Sequence, residues 1–311
     1  SNNPPLQATL MRGSHLESIH KIHAVISDKK GRVLMCAGNP EYKSFIRSSL
    51  KPFQAIPFLS SGAASEINNS SKSIALACGS HSGSKMHTRE AFKILWAFDI
   101  DINYLKCPKL SKSPLEHNCS GKHAAFLATC KKLNLPLDSY LKREHPLQKE
   151  IFRIISEFLE VPLSDICAER DDCGAPTLYM KLLEMAKLYA LLSSSENAEL
   201  EQISRSIRKN PVMISDKNKF DTEIIEASHG QVISKGGAEG IQCLCKVNEG
   251  IGLALKVEDG SKRAKHAVSL HLLKQLEWIS DLRIEDIEDK ILNFPEGVKI
   301  EVKGQLKFQE S

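Results

Sequence analysis

Two hydrophobic periods alternate along the chain and divide it into three stretches. Between residues 20 and 37, apolar and polar residues alternate on both sides of a polar turn at 28–31, which predicts a β-hairpin. From about residue 85 to residue 227, apolar residues recur at the helical spacing of three and four. The run from 177 to 192 is apolar nearly all round, which predicts a buried helix.

The alternating pattern returns after residue 228. Glycine-containing turns separate three predicted strands, at 229–234, 241–247 and 251–257. Residues 261–280 carry an apolar stripe at helical spacing and predict an amphipathic helix. A last strand is predicted at 298–303.

Strands at both ends and helices in the middle predict one antiparallel sheet built from both ends of the chain. Residues 1–46 and 228–311 then form the sheet part, and residues 47–227 form a mainly helical insert. The predicted fold class is mixed α/β (α+β), in one compact unit. A chain of 311 residues has ample apolar surface for such a core.

Composition indicates a soluble globular protein and argues against nucleic-acid or membrane binding. Hydrophobic residues make up 41% of the chain and charged residues 26%, and 42 basic against 38 acidic residues give a net charge of +4. The basic residues form no stripe, no run approaches the ~20 apolar residues that cross a bilayer, and the first residues do not resemble a signal peptide. Nine scattered cysteines predict mostly reduced thiols in a cytoplasmic protein.

Ser48 and Lys51 stand three residues apart. A helix that starts at residue 48 or 49 and ends at Gly62 puts both side chains on one face, with Pro52 in its first turn. A lysine of lowered pKa can take the proton of a serine hydroxyl, so Ser-x-x-Lys is a nucleophile–base unit in the penicillin-recognising serine enzymes. The alternative is a helix N-cap beside a solvated lysine, and the pattern alone does not decide between them.

Two further polar clusters are candidates for chemistry. Residues 80–83 read Ser-His-Ser-Gly, and residues 235–237 read Lys-Gly-Gly at the end of a predicted strand. Glycines let a ligand or another backbone approach closely, and Lys-Gly-Gly is related to the Lys-Thr-Gly of the penicillin-recognising enzymes. An ordinary Ser/Gly turn and an ordinary hairpin turn are the alternatives.

Cysteines also occur in two polar loops before helices, where they could hold a metal. Cys119 lies close to Lys122 and His123, and Cys173 follows two aspartates. Soft thiolates favour zinc among the common ions. A structural zinc site usually shows Cys-x-x-Cys or a pair of histidines, and neither is present, so small buried cysteines are the alternative.

Taken together, these clusters resemble the L-asparaginase II family of the inducible rhizobial (thermolabile) type. The resemblance implies a β-lactamase/DD-peptidase-like fold, because the family is related in fold to serine β-lactamases and penicillin-binding proteins. The matching segments occur in family order over nearly the whole chain: 12–13, 17–20, 38–40, 47–54, 80–81, 118–123, 171–176, 235–240 and 256–260.

The resemblance implies two catalytic Ser–Lys pairs. Ser48 would pair with Lys51, and Ser80 would pair with Lys235. Either serine is a candidate nucleophile; we expect Ser48, because its lysine lies nearby in sequence. Arg47 is expected to bind the α-carboxylate of the substrate.

The resemblance also implies a zinc ion held by Cys119, Lys122 and Cys173, which would tune the site rather than be essential for it. His123, beside that loop, and Gly236 are further substrate-binding candidates. The family often has Asp-Gly-Cys where this chain has Asp-Asp172-Cys, and the sequence does not show what the extra carboxylate does.

The function implied is that of an L-asparaginase, which hydrolyses L-asparagine to L-aspartate and ammonia through a lysine-activated serine and an acyl-enzyme. We expect no organic cofactor, a small-molecule substrate and a homodimer. Alternatives are a glutaminase, a hydrolase of another amide or lactam on the same fold, and a non-catalytic relative that binds zinc or an amino acid. Intact Ser48, Lys51, Ser80 and Lys235 argue against the last of these.

Overall fold

The computed structural model describes residues 3–109 and 112–309. The strands within these residues are β1 (Leu6–Arg12), β2 (His15–Asp28), β3 (Val33–Ala37), β4 (Lys43–Phe45), β5 (Cys167–Arg170), β6 (Pro176–Lys181), β7 (Val232–Gly237), β8 (Ile241–Lys246), β9 (Ile251–Val257), β10 (Val298–Lys303) and β11 (Lys307–Phe308).

The α-helices are α1 (Lys51–Gln54), α2 (Ile56–Ser60), α3 (Ala63–Glu66), α4 (Ser71–Ala77), α5 (Lys85–Ala97), α6 (Ser120–Lys132), α7 (Pro146–Leu159), α8 (Leu182–Ser193), α9 (Ala198–Lys209), α10 (Phe220–Ala227), α11 (Lys262–Gln275) and α12 (Asp281–Ile291). Short 3₁₀ helices cover Arg47–Leu50, Ile102–Tyr104, Pro114–Glu116, Leu163–Asp165 and Pro211–Met213.

The chain forms two compact units. The first, called the sheet unit below, comprises Ser1–Ser49, Met180–Ser194 and Asn218–Ser311. The second, called the helical unit, comprises Leu50–Tyr179 and Ser195–Lys217.

An antiparallel sheet organises the sheet unit, with strand order β10-β1-β2-β9-β8-β7. β3 also pairs with β2, and β11 with β3. The two ends of the chain meet where β2 pairs with β9, with Ala24 opposite Leu255. The prediction that strands from both chain ends share one sheet is therefore confirmed.

Alternating apolar residues of the central strands form the core of the sheet unit. Ile22 and Ala24 of β2 and Leu255 of β9 are fully buried against Val268 and Leu272 of α11. Burying a side chain of this size contributes about 1.5 to 3 kcal/mol. The predicted hairpin, the three strands after residue 228, the helix that follows them and the last strand are all confirmed, with shifted ends.

α8 packs against β9 at a glycine. A Cβ atom on Gly252 would lie 2.2 Å from the Ala186 carbonyl oxygen, so only glycine allows this approach. The predicted buried helix at 177–192 is partly wrong, because its first residues form β6 and α8 begins at Leu182. A short apolar run does not distinguish a buried strand from a buried helix.

The helical unit contains α1 to α7, α9 and the antiparallel hairpin of β5 and β6. α7 follows the predicted apolar repeat. The predicted continuous helix from residue 48 to Gly62 is wrong: a 3₁₀ turn at Arg47–Leu50 precedes two short helices, α1 and α2. Pro57 explains the break, because proline has no N–H for the helical hydrogen bond.

Helices in the described part of the chain are all too short or too polar to cross a membrane.

Candidate functional site

Lys51, the first residue of α1, points its amine at the loop that follows α4. Its side chain is fully buried, and Nζ lies 2.7 Å from the Gly79 carbonyl oxygen, 3.0 Å from the Ser80 Oγ and 3.5 Å from the Asn118 carbonyl oxygen. All four residues belong to the helical unit. A lysine that the sequence pairs with Ser48 is therefore hydrogen-bonded to Ser80, a contact that the spacing of residues did not predict.

The loop that carries Ser80 is fixed by a later part of the chain. The Ser80 N–H donates to the Ile214 carbonyl oxygen at 2.8 Å. A Cβ atom on Gly79 would lie 2.3 Å from the Met213 carbonyl oxygen, so a larger residue would push the two backbones apart. The position of the Ser80 hydroxyl thus depends on the packing of Gly79 against residues 213 and 214.

The environment of Lys51 lowers the pKa of its amine. Burial lowers the pKa of Lys51; the thiolate form of Cys119 opposes this, and the charge of Lys122 adds to it. A neutral amine has two N–H groups and one lone pair. Nζ is also hydrogen-bonded to Cys119, so it has four possible partners, and only the neutral form has a lone pair that can accept the proton of the Ser80 hydroxyl.

Cys119, Lys122 and Cys173 are brought together in the helical unit. Cys119 precedes α6, Lys122 lies in its first turn, and Cys173 lies in the turn between β5 and β6. The Cys173 thiol donates a hydrogen bond to Cys119, which holds the pKa of Cys119 well below its usual range, and the charges of Lys51 and Lys122 lower it further. Lys122 in turn is hydrogen-bonded to Cys173.

The ionisation of Lys122 follows from the same contacts. Burial lowers its pKa, but Cys173, Cys119 and Asp171 together outweigh burial, and the pKa is raised. The two thiols suit zinc, whereas Lys122 would have to lose its proton before its amine could coordinate the ion. No group of three or more His, Cys, Asp or Glu side chains within residues 3–109 and 112–309 is arranged to hold a metal ion, so zinc stays a prediction.

His123 has a buried ring nitrogen without a partner. The Tyr140 hydroxyl accepts the Lys106 N–H at 2.8 Å and lies at hydrogen-bond distance, 2.7 Å, from His123 Nδ1. The other ring nitrogen, Nε2, has no hydrogen-bond partner in the described part of the chain. Burial, with Lys122 next, lowers the pKa of His123 to about 3, so the ring is neutral.

In the sheet unit, the Lys-Gly-Gly segment ends β7 at one edge of the sheet. The Ser49 hydroxyl donates to the Lys235 carbonyl oxygen at 2.7 Å. A Cβ atom on Gly237 would lie 2.9 Å from the Ile46 carbonyl oxygen and 3.2 Å from the Arg47 Cβ. Glycine at this position lets the segment that contains Arg47 and Ser48 run directly beside β7.

Arg47 has a left-handed backbone conformation, with a φ of 53°. A residue with a Cβ atom pays roughly 1 to 2 kcal/mol for this conformation. Such strain persists where the surrounding structure fixes a residue, and it is concentrated at functional sites. Glu160, His229 and Glu239 share this conformation, so the role of Arg47 stays a prediction.

A buried carboxylate that sequence reasoning missed lies next to the Lys-Gly-Gly segment. Asp221 accepts the Gly236 N–H at 2.9 Å, the Ser234 hydroxyl at 2.7 Å and a Gln242 side-chain N–H at 2.9 Å. Burial raises the pKa of Asp221, but the charge of Lys235 and these hydrogen bonds prevail and the pKa is lowered.

Lys265 completes this buried group. It donates to the Gly237 carbonyl oxygen at 3.1 Å, and Lys235 donates to the Gly236 carbonyl oxygen at 2.6 Å. Burial lowers the pKa of Lys265, and Asp221 opposes that shift. In the sequence Asp221 looks like an ordinary acidic residue in the first turn of a helix. Its role in compensating buried lysines becomes visible only from its contacts in the structure.

The predicted site residues are divided between the units. The helical unit contains Lys51, Ser80, Cys119, Lys122, His123 and Cys173. The sheet unit contains Arg47, Ser48, Lys235 and Gly236. The two Ser–Lys pairs implied by the resemblance stay predictions.

Comparison with known proteins identifies one family. The sequence profile described as L-asparaginase II matches residues 8–308, nearly the whole chain. No curated protein sequence matches the chain.

Similar solved structures are all distant from this chain. Mglu in its native form with 4.3 M NaCl is 9% identical over 82% of this chain and 61% of its own, with a TM-score of 0.41. A second Mglu structure is 11% identical over 83% of this chain and 67% of its own, with a TM-score of 0.43. A Bacillus glutaminase is 12% identical over 83% of this chain and 91% of its own, with a TM-score of 0.41. The chain thus spans less than two thirds of the length of the first of these proteins.

Proposed function

The chain belongs to the L-asparaginase II family, and from that membership we propose that it hydrolyses L-asparagine to L-aspartate and ammonia. The family makes it an amidohydrolase with a small-molecule substrate. The choice of asparagine rests on the family, and the proposed chemistry rests on the contact between Lys51 and Ser80.

In the proposed mechanism Lys51 is the base and Ser80 is the nucleophile. The neutral Lys51 amine takes the proton of Ser80, and the Ser80 Oγ attacks the side-chain amide carbon of the substrate. Lys51 then gives that proton to the amide nitrogen, which departs as ammonia. The acyl group stays on Ser80 as an ester, the acyl-enzyme. A water molecule gives a proton to Lys51 and attacks the ester, and aspartate leaves as Lys51 returns the proton to Ser80.

The observation that carries this assignment is the 3.0 Å separation of Lys51 Nζ and Ser80 Oγ, in a buried setting that lowers the pKa of the lysine. A proton can pass directly between atoms at that distance. Ser48, the nucleophile that the sequence predicts, remains the second candidate. Lys235 stays a proposed catalytic residue on the strength of the family resemblance.

Substrate binding is proposed for three residues. The Arg47 guanidinium suits the α-carboxylate, because it can donate two parallel hydrogen bonds to it. The buried Nε2 atom of the neutral His123 ring lacks a partner, and a polar group of a small ligand would satisfy it. Gly236 lets a ligand approach the strand backbone closely.

Zinc is proposed to bind to Cys119, Lys122 and Cys173, whose donor chemistry fits that ion. Zinc held there would supply a fixed positive charge to the thiolates, and the three side chains would orient one another. We propose that this ion tunes activity and is not required for folding. The helical unit has a core of its own, in which Ile151 and Ile155 of α7 are buried.

Ammonia release separates the candidate functions. We expect the purified protein to release ammonia from asparagine with a higher kcat/KM than from glutamine, and to leave nitrocefin intact. A preference for glutamine would make it a glutaminase, and nitrocefin turnover would make it a lactam hydrolase. No hydrolysis of any of the three would favour the non-catalytic alternative.

Single serine variants separate the two nucleophile candidates. Ser80→Ala should abolish asparagine hydrolysis, whereas Ser48→Ala should retain a measurable fraction of it. If Ser48→Ala loses activity fully and Ser80→Ala keeps more than about a tenth, the nucleophile is Ser48.

A further inference from the structure

An open groove lies on the surface of the helical unit. Its volume is about 420 Å³, which is within the range of small-molecule sites. None of the residues that line it is a predicted catalytic, substrate-binding or metal-binding residue, although Gly174 in its wall directly follows Cys173. The charged side chains of this cavity are all exposed to solvent.

The charge of the lining is strongly biased. Four cations and two carboxylates face the cavity, which gives it a net charge of +2: Lys106, Lys142, Arg143, Arg170, Asp138 and Glu169. In the described part of the chain, none of these four cations forms an ion pair within 4.0 Å. A concave surface with unpaired charges of one sign attracts small ions of the other sign.

Two of these cations are held in place by backbone contacts. Lys106 donates to the Asp138 carbonyl oxygen, and Arg143 donates to the Ala168 carbonyl oxygen at 3.1 Å. Both carbonyls belong to residues that line the cavity. These contacts fix the side chains without neutralising them, because a carbonyl group carries no net charge.

Gly174 lies in the cavity wall next to the remaining arginine. Its backbone is left-handed, with a φ of 95°, and a Cβ atom there would lie 3.1 Å from Leu141 and 3.7 Å from an Arg170 guanidinium nitrogen. The Arg170 guanidinium is therefore beside the Gly174 backbone. A guanidinium in such a position can bind a carboxylate through two parallel hydrogen bonds.

We propose that this cavity binds a small dicarboxylate. The net charge of +2 matches two carboxylates, and the volume exceeds what a single small oxyanion would fill. Lys142 and Arg170 are the main ligands, since both side chains are exposed at the cavity and their charged ends form neither an ion pair nor a hydrogen bond to a backbone carbonyl in the described part of the chain. The site is independent of asparagine hydrolysis.

Titration calorimetry at low ionic strength, with succinate as the probe, tests this proposal. The wild-type protein should bind about one succinate, and binding should weaken as salt rises because the interaction is ionic. Succinamide, which has the same shape without the charge, should not bind. The double variant Lys142→Gln/Arg170→Gln should lose at least about tenfold in affinity, because it removes both main ligands.

A matched double variant controls for overall charge. Lys131→Gln/Lys149→Gln removes two exposed cations of the same unit that do not line the cavity, and it should bind succinate as the wild type does. Both double variants should keep the wild-type kcat and KM for asparagine without succinate, which separates this proposal from the proposed function.

Three results would overturn the dicarboxylate site. They are the absence of saturable succinate binding to the wild type, equal affinity in the two double variants, and tighter binding of inorganic phosphate than of succinate.

Discussion

The Nζ atom of Lys51 lies 3.0 Å from the Oγ atom of Ser80, although 29 residues separate them in the chain. Their contact depends on Gly79, which brings the Ser80 loop against the 213–214 backbone. Sequence spacing alone favours Ser48 as the partner of Lys51, whereas in the folded chain the Lys51 amine is hydrogen-bonded to Ser80.

Replacing Lys51 by arginine should nearly abolish asparagine hydrolysis. Arginine keeps the positive charge but stays protonated, so it cannot accept the proton of Ser80. We expect kcat/KM to fall at least about 10³-fold in Lys51→Arg and in Ser80→Ala, and no further in the double variant, because members of one catalytic unit fail together. Ser82→Ala, an exposed serine in the same loop, is the control. Additive losses would show that the two residues do not act as a unit.

Replacing Asp221 by asparagine should destabilise the protein most at neutral pH. The wild-type carboxylate compensates two buried lysines, and leaving buried charges without their partner costs about 3 to 5 kcal/mol. Because folding lowers the pKa of Asp221, its stabilisation is full above its unfolded pKa of about 3.9 and is lost as the pH falls through the lower folded value. The difference in unfolding free energy between wild type and Asp221→Asn should therefore shrink below about pH 4.

Urea titrations at pH 7, 5 and 3.5 would measure this difference. Asp281→Asn, which changes an exposed carboxyl at the start of α12, is the matched control and should cost little at any pH. A gap between wild type and Asp221→Asn that widens on acidification would contradict an ionised Asp221 in the folded state.

Gly237→Ala should destabilise the sheet unit and disturb Arg47. The new Cβ atom would lie 2.9 Å from the Ile46 carbonyl oxygen, and relieving such a contact costs about 1 to 3 kcal/mol. We expect a lower thermal midpoint and a raised KM for asparagine. Gly13→Ala is the comparison: its Cβ atom has nothing within 4 Å, and its only cost is a left-handed backbone of roughly 1 kcal/mol. An unchanged KM in Gly237→Ala would remove Arg47 from the substrate site.

Cys119→Ser should bind less zinc and still melt cooperatively. Loss of one thiolate from a three-donor set weakens the site, whereas the core of the helical unit is unaffected. The measurement is zinc per chain after reconstitution, with a calorimetric melt of the same sample. Cys130→Ser, another buried cysteine on α6, is the control and should keep its zinc. Outright unfolding of Cys119→Ser would give the cluster a structural role in place of a tuning one.

The sequence predicted the hairpin and β7 to β9 well; β7 to β9 are buried at nearly every residue, so the glycine-containing turns between them were the signal that separated the strands. β1 was missed although Leu6, Ala8 and Leu10 alternate at buried positions, so the signal was present. The boundary between β6 and α8 was not predictable in the same way, since an apolar run of that length suits either structure.

The candidate site was predictable as a set of residues but not as a set of contacts. The lysine and cysteine positions follow from motifs that are local in sequence. The hydrogen bond between Lys51 and Ser80, and the contact of the Asp221 carboxylate with the Gly236 N–H, arise from tertiary packing and leave no pattern in the chain.

The Asp221 contact also bears on how the protein behaves at high concentration. β7 is an edge strand, and exposed backbone groups at a sheet edge recruit strands from other molecules. At Gly236 the N–H is bound by Asp221 and the carbonyl by Lys235, so both groups that would pair with an incoming strand are occupied. The two side chains thereby act together with residues 46–49, which run beside β7, to cover this end of the sheet, and a variant that frees Gly236 would leave two backbone groups without these partners.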